Sequence, residues 1–276
     1  MRTSGIGKSL TYAALFAISA LFMIPFLWML RSAVMNLGQI FEMPPIWIPN
    51  PVQWDNFSRA LTILPFDKFF VNTALIVVVS VAGTVLSSTI AAFGFSRIPW
   101  KGRNLVFGAL LSAMMLPGAV TLIPTFLGFR TLGFYDTYVP LLAPAFFGGG
   151  IFNVFLLRQF YMTIPRDFDE AAVMDGAGYF QIYWRIILPL SRSAIIVVAL
   201  FTFMGAWNDF FGPLIYLKST DKFTLALGLQ MFQGAYTSQW DLLMAASTAV
   251  VLPCVAVFLI GQKYFLEGIT LTGLKG

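Results

Sequence analysis

The chain has 276 residues, a formal net charge of +5 and a mean hydropathy of +0.81, and 58% of its residues are hydrophobic whereas 11% are charged. A water-soluble domain usually carries roughly a quarter charged residues. The composition therefore excludes a soluble fold and predicts a surface that faces lipid.

Six apolar runs are long enough to cross the hydrocarbon core as helices, which takes about 20 residues. Barrel strands would alternate apolar and polar residues, and these runs do not. The first run is too long, and too far from a small-residue cleavage site, to be a signal peptide. We therefore predict an all-α membrane protein with one transmembrane domain over 1–276. The predicted transmembrane helices are 10–30, 69–95, 105–128, 138–157, 193–216 and 243–265.

Lysine and arginine concentrate in the segments that are cytoplasmic if the N-terminus is cytoplasmic, as the positive-inside rule requires. Those segments hold eleven of the seventeen basic residues: Arg2, Lys8, Arg97, Lys101, Arg103, Arg158, Arg166, Arg185, Arg192, Lys263 and Lys275. Both termini are then cytoplasmic. This asymmetry accounts for the positive charge without a nucleic-acid partner.

Three connections between the spans have a distinct composition. The outer segment 32–68 is rich in proline and tryptophan, which is typical of a stiff connector at the headgroups or of a docking surface. The outer segment 217–242 mixes polar and apolar residues, which suits a re-entrant segment, a docking segment or a plain surface loop. The inner turn 96–104, SRIPWKGRN, is predicted to be a basic topology anchor.

The chain lacks the residues that most enzymatic and metal sites need. It has no histidine and a single cysteine, Cys254, so disulfides and histidine sites within the chain are excluded. The stretch GIGKS resembles the end of a phosphate-binding loop, but Arg2 stands where that motif requires a glycine. We expect no catalytic residue, metal or bound cofactor in this chain.

The segment 165–189 places acids, alanines and glycines between two apolar spans. Pro165 ends the preceding helix, and Asp167 with Glu170 three residues later predicts an acidic capping box that starts a short helix at about Phe168. Gly176 predicts a left-handed stop for this helix, and Pro189 predicts a break before the fifth span.

Four residues of this short helix share one face at the spacing i, i+3, i+4 and i+7: Phe168, Ala171, Ala172 and Asp175. Beyond the phenylalanine this face is nearly flat, so another protein could pack closely against it. Local physics leaves two interpretations open, a docking element or a capped interfacial helix that only joins two spans.

The spacing of this segment resembles a known signature. Glu170-Ala171-Ala172, Gly176, Ile186 and Leu188-Pro189 match, at each specified position, the loop of the membrane subunits of bacterial ATP-binding cassette (ABC) importers. Trp207-Asn208 followed by GPLIYL, and the terminal GITLTGLKG, are similar to the maltose-type carbohydrate permeases, in particular the smaller permease of the pair. The resemblance covers essentially the whole chain and is weakest in the first outer loop.

This resemblance implies the type I ABC importer permease fold and a role in the bacterial inner membrane as the translocation subunit of an ATP-driven sugar importer. The implied partners are a second permease, two cytoplasmic ATPase subunits that bind ATP and magnesium, and an extracytoplasmic sugar-binding protein. It implies that the short helix is a coupling helix. The residues it assigns to ATPase coupling are Asp169, Glu170, Ala171, Ala172, Asp175, Gly176 and Pro189, and a possible ATPase-contacting tail is Leu274, Lys275 and Gly276.

Polar residues within or beside apolar spans are candidates for the substrate path, because such groups usually face the bundle or an aqueous channel. They are Asn72, Asn153, Asn208 and Asp209. Helix capping or packing against the second permease is the alternative role for each.

Two other functions remain open at this point. A stand-alone secondary transporter driven by ions is one, although no clear internal repeat supports it. The other is an intramembrane enzyme, for which Asp209 and nearby hydroxyls are the candidates, although no second polar residue stands at catalytic spacing.

Overall fold

The computed structural model describes residues 5–234 and 238–273, with side chains over 7–234 and 238–264. Within these ranges the chain is helical, and an isolated bridge between Gln233 and Ser238 is the one strand-like pairing described. The predicted all-α fold is confirmed. In chain order the α-helices are α1 (Gly5–Ala33), α2 (Leu37–Ile40), α3 (Asp55–Thr62), α4 (Phe66–Ser96), α5 (Arg103–Ser112), α6 (Gly118–Thr131), α7 (Val139–Leu142), α8 (Ile151–Thr163), α9 (Asp167–Met174), α10 (Tyr179–Ile182), α11 (Leu188–Leu190), α12 (Arg192–Trp207), α13 (Phe211–Tyr216), α14 (Leu225–Gln230) and α15 (Trp240–Gly273).

Four helical stretches are long and apolar enough to cross a membrane, and two bent helix pairs raise the number to as many as six if each pair is one span. The four are Gly7–Ala33, Phe66–Ser96, Val139–Thr163 and Trp240–Tyr264. The bent pairs are Arg103–Met115 with Gly118–Thr131, at 99°, and Tyr179–Leu190 with Arg192–Trp207, at 78°.

The continuous helix predicted over 138–157 is divided between α7 and α8 by a 3-10 turn at Ala143–Phe147 and the glycines that follow it. Two further stretches differ from the continuous helices predicted over 105–128 and 193–216. The first breaks at Leu116, which is extended with ψ 119° because it precedes Pro117. The second ends at Trp207, and the chain starts a separate helix, α13, at Phe211. Each of these two apolar runs is therefore divided between two helices.

The described chain forms two compact units. One comprises the described residues of 1–67 with 228–252, and the other those of 68–227 with 253–276. In the first unit the proline-rich segment is fixed by polar side chains: the Asn56 amide donates to the carbonyls of Ala33 and Met35, at 3.1 and 2.8 Å. The Gln39 amide donates to the Asn50 carbonyl at 2.7 Å. Hydrogen bonds thus hold this part of 32–68 in a defined fold.

A buried apolar cluster in the second unit joins α4, α5, α8 and α12 to the helical stretch that follows α9. Its members are Ala92, Phe93, Phe107, Val154, Leu157, Tyr161, Ile182, Tyr183, Ile187, Ala194 and Val198. Close packing of this kind has little room to deform. The stretch Tyr179–Leu190 is therefore attached to the spans along its buried side.

Arginines cap the C-terminal end of α4, where the last carbonyls have no helical partner. The Arg158 Nε donates to the Phe95 carbonyl at 3.1 Å, and Arg103 donates to the carbonyls of Ser96 and Ile98 at 3.3 and 3.2 Å. Positive charge at a helix C-terminus also suits the helix dipole. The basic turn after α4 is thus part of the packing of this end of the protein.

Small residues on α4 allow an irregular stretch, 143–150, to lie directly against it. Ser87 Oγ is 2.7 Å from the Ala145 carbonyl oxygen and accepts a hydrogen bond from the Gly148 amide at 3.1 Å. Gly149 has φ +57°, and a Cβ built on it would lie 2.7 Å from the Thr84 Cβ and closer still to the Thr84 Cγ2 and Oγ1. Glycine is required here by the close approach of the two backbones.

Asp136 fastens the start of the 217–242 segment. Its Oδ1 accepts from the amides of Lys218 and Ser219 at 2.9 and 3.0 Å, and its Oδ2 accepts from the Ser219 hydroxyl at 2.5 Å and from the Lys222 ammonium at 3.1 Å. These hydrogen bonds, that of the Ser219 hydroxyl first, hold the pKa of Asp136 well below its usual range. Asn72 donates to the carbonyls of Asp221 and Phe223, at 2.8 and 2.9 Å, and so fixes the next turn.

Replacing Asp136 by asparagine is expected to lower the thermal unfolding midpoint, because the Ser219 hydroxyl and the Lys222 ammonium lose a charged acceptor, a loss of roughly 1–2 kcal/mol. A lowered pKa means that the carboxylate stabilises the fold above its unfolded-state pKa of about 3.9 and loses this contribution as the pH falls further. The difference in unfolding midpoint between the wild type and Asp136→Asn should therefore be constant from about pH 5 to pH 8. Thermal unfolding of the detergent-solubilised proteins measures this difference, and Asp221→Asn, at an exposed position, is the control. Equal midpoints for the wild type and both variants would contradict the prediction.

Candidate functional site

The first candidate site is α9, which begins one residue earlier than the sequence predicts. Arg166 precedes the helix with helical dihedrals, φ −73° and ψ −19°, and no side chain caps this end. Its carbonyl accepts from the amides of Asp169 and Glu170, at 2.8 and 3.0 Å. The predicted capping box is therefore wrong: Asp167 is already the first helical residue, and an N-cap needs non-helical backbone. The acids still lie in the first turn, where the helix dipole favours negative charge.

The C-terminal end of α9 closes as the sequence predicts. Gly176 has φ +82°, in the left-handed region. Its amide donates to the Val173 carbonyl at 2.9 Å, and the Ala177 amide donates to the Ala172 carbonyl at 2.8 Å, which is the Schellman arrangement. The predicted left-handed stop is confirmed, and it gives α9 a fixed length of two turns.

The structure divides the predicted coupling residues between two faces of α9. Asp169 and Ala172 are partly buried, and Ala172 packs against the apolar cluster. Glu170, Ala171, Asp175 and Gly176 are exposed, as is Phe168, a residue that is 50% exposed. The flat face predicted from Phe168, Ala171, Ala172 and Asp175 thus lacks Ala172, which points toward the protein. The surface open to a partner combines carboxylates, Ala171 and an aromatic ring.

The stretch that follows α9 carries a π-helical turn that the sequence does not predict. It spans Tyr183–Ile187, between α10 and α11. The Tyr183 hydroxyl is 2.9 Å from Thr89 Oγ1 on α4. Pro189 is exposed within α11, and the chain bends by 78° two residues later, at Ser191. The break predicted at Pro189 is displaced to Ser191.

A cavity of about 510 Å³ lies beside α9. Its lining combines apolar side chains with charges, among them Phe93, Arg97, Glu170, Met174 and Tyr179. Arg97 is the residue here that the sequence does not single out, since a basic residue just after an apolar span usually marks topology alone. The mixed lining suits contact with a side chain of another protein more than capture of a small apolar ligand.

A second cavity, of about 380 Å³, lies among α4, α7, α8 and α12, within the range of about 300–1,000 Å³ that is common for small-molecule sites. Two of the four predicted substrate-path residues, Asn153 and Asp209, line it. The other lining residues are Ile76, Ser80, Thr84, Leu141, Pro144, Ala145, Gly149, Phe201, Thr202, Gly205 and Ala206. Carboxylate, amide and hydroxyl groups beside an aromatic ring can bind a polyhydroxylated ligand.

The other two predicted substrate-path residues lie outside this cavity. Asn72 holds the backbone of the 217–242 segment, as described above, and Asn208 donates to the Met204 carbonyl of its own helix at 2.8 Å. Within the cavity, Asp209 Oδ1 accepts from the Gly212 amide at 3.0 Å, and the Asn153 amide donates to the Gly149 carbonyl at 2.6 Å. Hydrogen bonds within the chain therefore account for Asn72 and Asn208 and for part of the hydrogen-bonding capacity of Asn153 and Asp209. Asn208, the C-cap residue of α12, has the predicted alternative role of helix capping.

Three hydroxyl residues of the cavity are missing from the sequence prediction: Ser80, Thr84 and Thr202. Ser80 and Thr84 are four residues apart on α4, so they lie on one helix face. Small polar residues at helical spacing within an apolar span are the signal that could have found them, because such residues collect where a helix faces other protein or water.

The predicted tail residues Leu274, Lys275 and Gly276 lie outside the described residues. Over the part of the chain that the structure describes, no group of three or more histidine, cysteine, aspartate or glutamate residues stands together as a metal site.

Comparisons with known proteins agree with this architecture. Residues 83–270 match the family described as the binding-protein-dependent transport system inner membrane component. The probable ABC transporter permease protein YurM of Bacillus subtilis is 31% identical over 98% of this chain and 90% of its own length. The arabinooligosaccharides transport system permease protein AraQ of the same organism is 34% identical over 76% of this chain and 74% of its own.

A solved structure extends the comparison to the fold. A chain of a bacterial ABC transporter involved in the import of the acidic polysaccharide alginate superposes with a TM-score of 0.83 over 96% of this chain and 99% of that chain, at 23% identity. The two chains therefore share a fold, the type I ABC importer permease fold. With the family match and the permease relatives, this identifies the chain as a member of the binding-protein-dependent transport system inner membrane components, a multi-pass permease subunit of an ABC importer and not an enzyme.

Proposed function

We propose that this permease carries a sugar, as a mono- or oligosaccharide, and that it works with a second permease, two cytoplasmic ATPase subunits and an extracytoplasmic sugar-binding protein. The observation that carries the sugar assignment is the 380 Å³ cavity, whose carboxylate, amide and hydroxyl groups suit the hydroxyls of a sugar. The relative named for arabinooligosaccharides and the alginate importer support the same class of substrate.

In this proposal the sugar passes the cavity that Asn153 and Asp209 line. Asp209 Oδ2 accepts hydrogen bonds from sugar hydroxyls. The hydroxyls of Ser80 and Thr202 can donate hydrogen bonds to sugar hydroxyls or accept them. Phe201 offers a ring to the apolar face of a sugar. Because binding must be weak enough for release, a few such contacts are sufficient for a translocation path.

ATP and magnesium bind to the partner ATPase, and α9 is the contact through which the ATPase acts on this chain. The contact surface is Glu170, Ala171, Asp175 and Gly176, which are exposed, whereas Asp169 and Ala172 hold the helix to the permease. With both termini cytoplasmic, α9 is cytoplasmic too, and the tail Leu274–Gly276 lies on the same side. The bend beyond Pro189 passes movement of α9 into α12.

The proposal is tested by co-expressing the chain with its second permease and ATPase and reconstituting the complex in proteoliposomes. Uptake of labelled sugar should require ATP on the ATPase side together with the loaded binding protein, and an ion gradient without ATP should give none. Asp209→Asn keeps the oxygen that accepts from Gly212 but removes a charge from the cavity, so uptake should fall about tenfold, the loss of a contact worth about 1.4 kcal/mol.

Asn208→Ala, next to the cavity but not in its lining, is the matched control and should transport normally. Uptake by this chain alone in response to an ion gradient would support a secondary transporter instead.

A further inference from the structure

A buried ion pair lies between the end of α4 and the first turn of α9. Arg97 Nη1 donates to Asp169 Oδ2 at 2.9 Å, and the side chain of Arg97 is 3% exposed. Among the residues that the structure describes, only two ion pairs occur, and the other, Lys222 with Asp136, is far more exposed on its lysine side. An ion pair withdrawn from water to this extent is costly to form and has to be held by further contacts.

Arg97 is bonded to three helical elements at once. Its own amide donates to the Phe93 carbonyl at 2.9 Å and so extends α4 beyond Ser96. Its Nη2 donates to two carbonyls at the C-terminal end of α8, that of Tyr161 in the last turn and that of the C-cap residue Ile164, the second at 2.7 Å. Since Nη1 reaches α9, a single rigid guanidinium joins the ends of α4 and α8 to the start of α9.

The attachment of α9 to the body of the permease combines this ion pair with apolar packing. Among the described residues, Asp169 Oδ1 and Arg97 Nε are buried without a hydrogen-bond partner, so the described hydrogen bonding of the Asp169 carboxylate is that of Oδ2 with Arg97. Ala172 on α9 and Ala177 just beyond it pack against the apolar cluster. Alanine methyl groups allow sliding, whereas the ion pair fixes the rotation and position of α9.

We propose that Arg97 and Asp169 are the positioning residues that make α9 move as one body with α4 and α8. The inference rests on the proposed contact between α9 and the ATPase. Without the pair, α9 still docks on the ATPase but shifts against the two spans, so that ATP is hydrolysed with less transport. Such a shift of α9 lowers the amount of sugar transported per ATP hydrolysed. Loss of a pair that serves folding alone would leave this ratio unchanged.

The test uses the reconstituted full complex with its binding protein, and compares wild type with Asp169→Asn, Asp169→Glu and Arg97→Lys. Asp169→Asn keeps the shape of the side chain and removes its charge. We expect each complex to assemble and to hydrolyse ATP, with uptake per ATP at least fivefold lower in Asp169→Asn and Arg97→Lys, and partly restored in Asp169→Glu. Lys101→Gln, an exposed cation in the same turn, should leave the ratio unchanged.

Two outcomes overturn the inference: an unchanged ratio of uptake to hydrolysis in Asp169→Asn and Arg97→Lys, or failure of all three variants to assemble, which would mean that the pair serves folding alone. The contact itself is measured separately, by replacing Cys254 with serine and cross-linking Ala171→Cys to cysteines placed on the ATPase. Absence of this cross-link in the wild-type background refutes the proposed function. A cross-link that persists in Asp169→Asn, with a normal ratio, refutes only the role of the ion pair.

Discussion

Replacing Gly149 by alanine should sharply reduce the yield of folded protein and lower the unfolding midpoint of the remainder. The new Cβ would lie 2.7 Å from the Thr84 Cβ, below the 3.0 Å that real Cβ atoms respect, and φ at this position is +57°. Left-handed backbone costs an alanine about 1–2 kcal/mol, and overpacking costs about 1–3 kcal/mol more. The sum, roughly 2–5 kcal/mol, is a large fraction of the stability of an ordinary domain.

Gly102 provides the matched control, since it lies in the left-handed region, with φ +85° and ψ 0°, but a Cβ there would meet nothing within 4 Å. Gly102→Ala should therefore show the backbone strain alone. Adding Thr84→Ala to Gly149→Ala removes Cγ2 and Oγ1 and should recover part of the loss. Fluorescence-detected size-exclusion chromatography after heating measures the wild type and the three variants, and equal losses for Gly149→Ala and Gly102→Ala would show that the close approach to α4 is unimportant.

Replacing Ala171 by tryptophan should abolish ATP-driven uptake while the permease remains folded. Ala171 is exposed on α9, so an indole at this position can project into solvent, where it blocks close packing of another protein on this surface. We expect the ATPase to be lost from the purified complex and uptake to fall at least tenfold, which corresponds to about 1.4 kcal/mol or more of lost contact energy.

Two further substitutions distinguish a lost contact with the ATPase from a loss of folding. Ala171→Ser changes little at the same position and should retain uptake. Ala172→Trp places the same ring on the partly buried side, against the apolar cluster, and should lower the yield of folded permease instead. Retention of the ATPase and normal uptake in Ala171→Trp would falsify the assignment of this surface.

Much of the fold is readable from the sequence because lipid imposes long apolar runs, and the bounds of α4 follow from that rule. The bends cannot be predicted in this way, because a straight helix and a bent helix of the same composition have the same mean hydropathy. Pro117 coincides with a break, yet Pro25, Pro124 and Pro253 lie inside helices. A proline by itself therefore does not locate a bend in a membrane protein, since neighbouring helices can satisfy the freed backbone groups.

The candidate site was predictable where the cause is local. Gly176 stops α9 because only a residue that tolerates positive φ fits there, and its neighbours in sequence are sufficient to predict it. Ala171 and Ala172 are chemically identical, and which of them is buried depends on the rotation of α9. That rotation is set by contacts distant in sequence, above all the pair of Asp169 with Arg97, 72 residues away. No local pattern carries that information.

The hydrogen bonds around Asp136, Asn72 and Thr73 have a further consequence for the segment from Leu217 to Leu225. They fix its backbone at Lys218, Ser219, Phe223 and Leu225, the last through the Thr73 hydroxyl at 2.9 Å. A loop that is already ordered has little conformational entropy left to lose when another molecule binds it, and ordering otherwise costs about 1–2 kcal/mol per residue. A contact made on this surface therefore loses little of its free energy to ordering of the loop backbone.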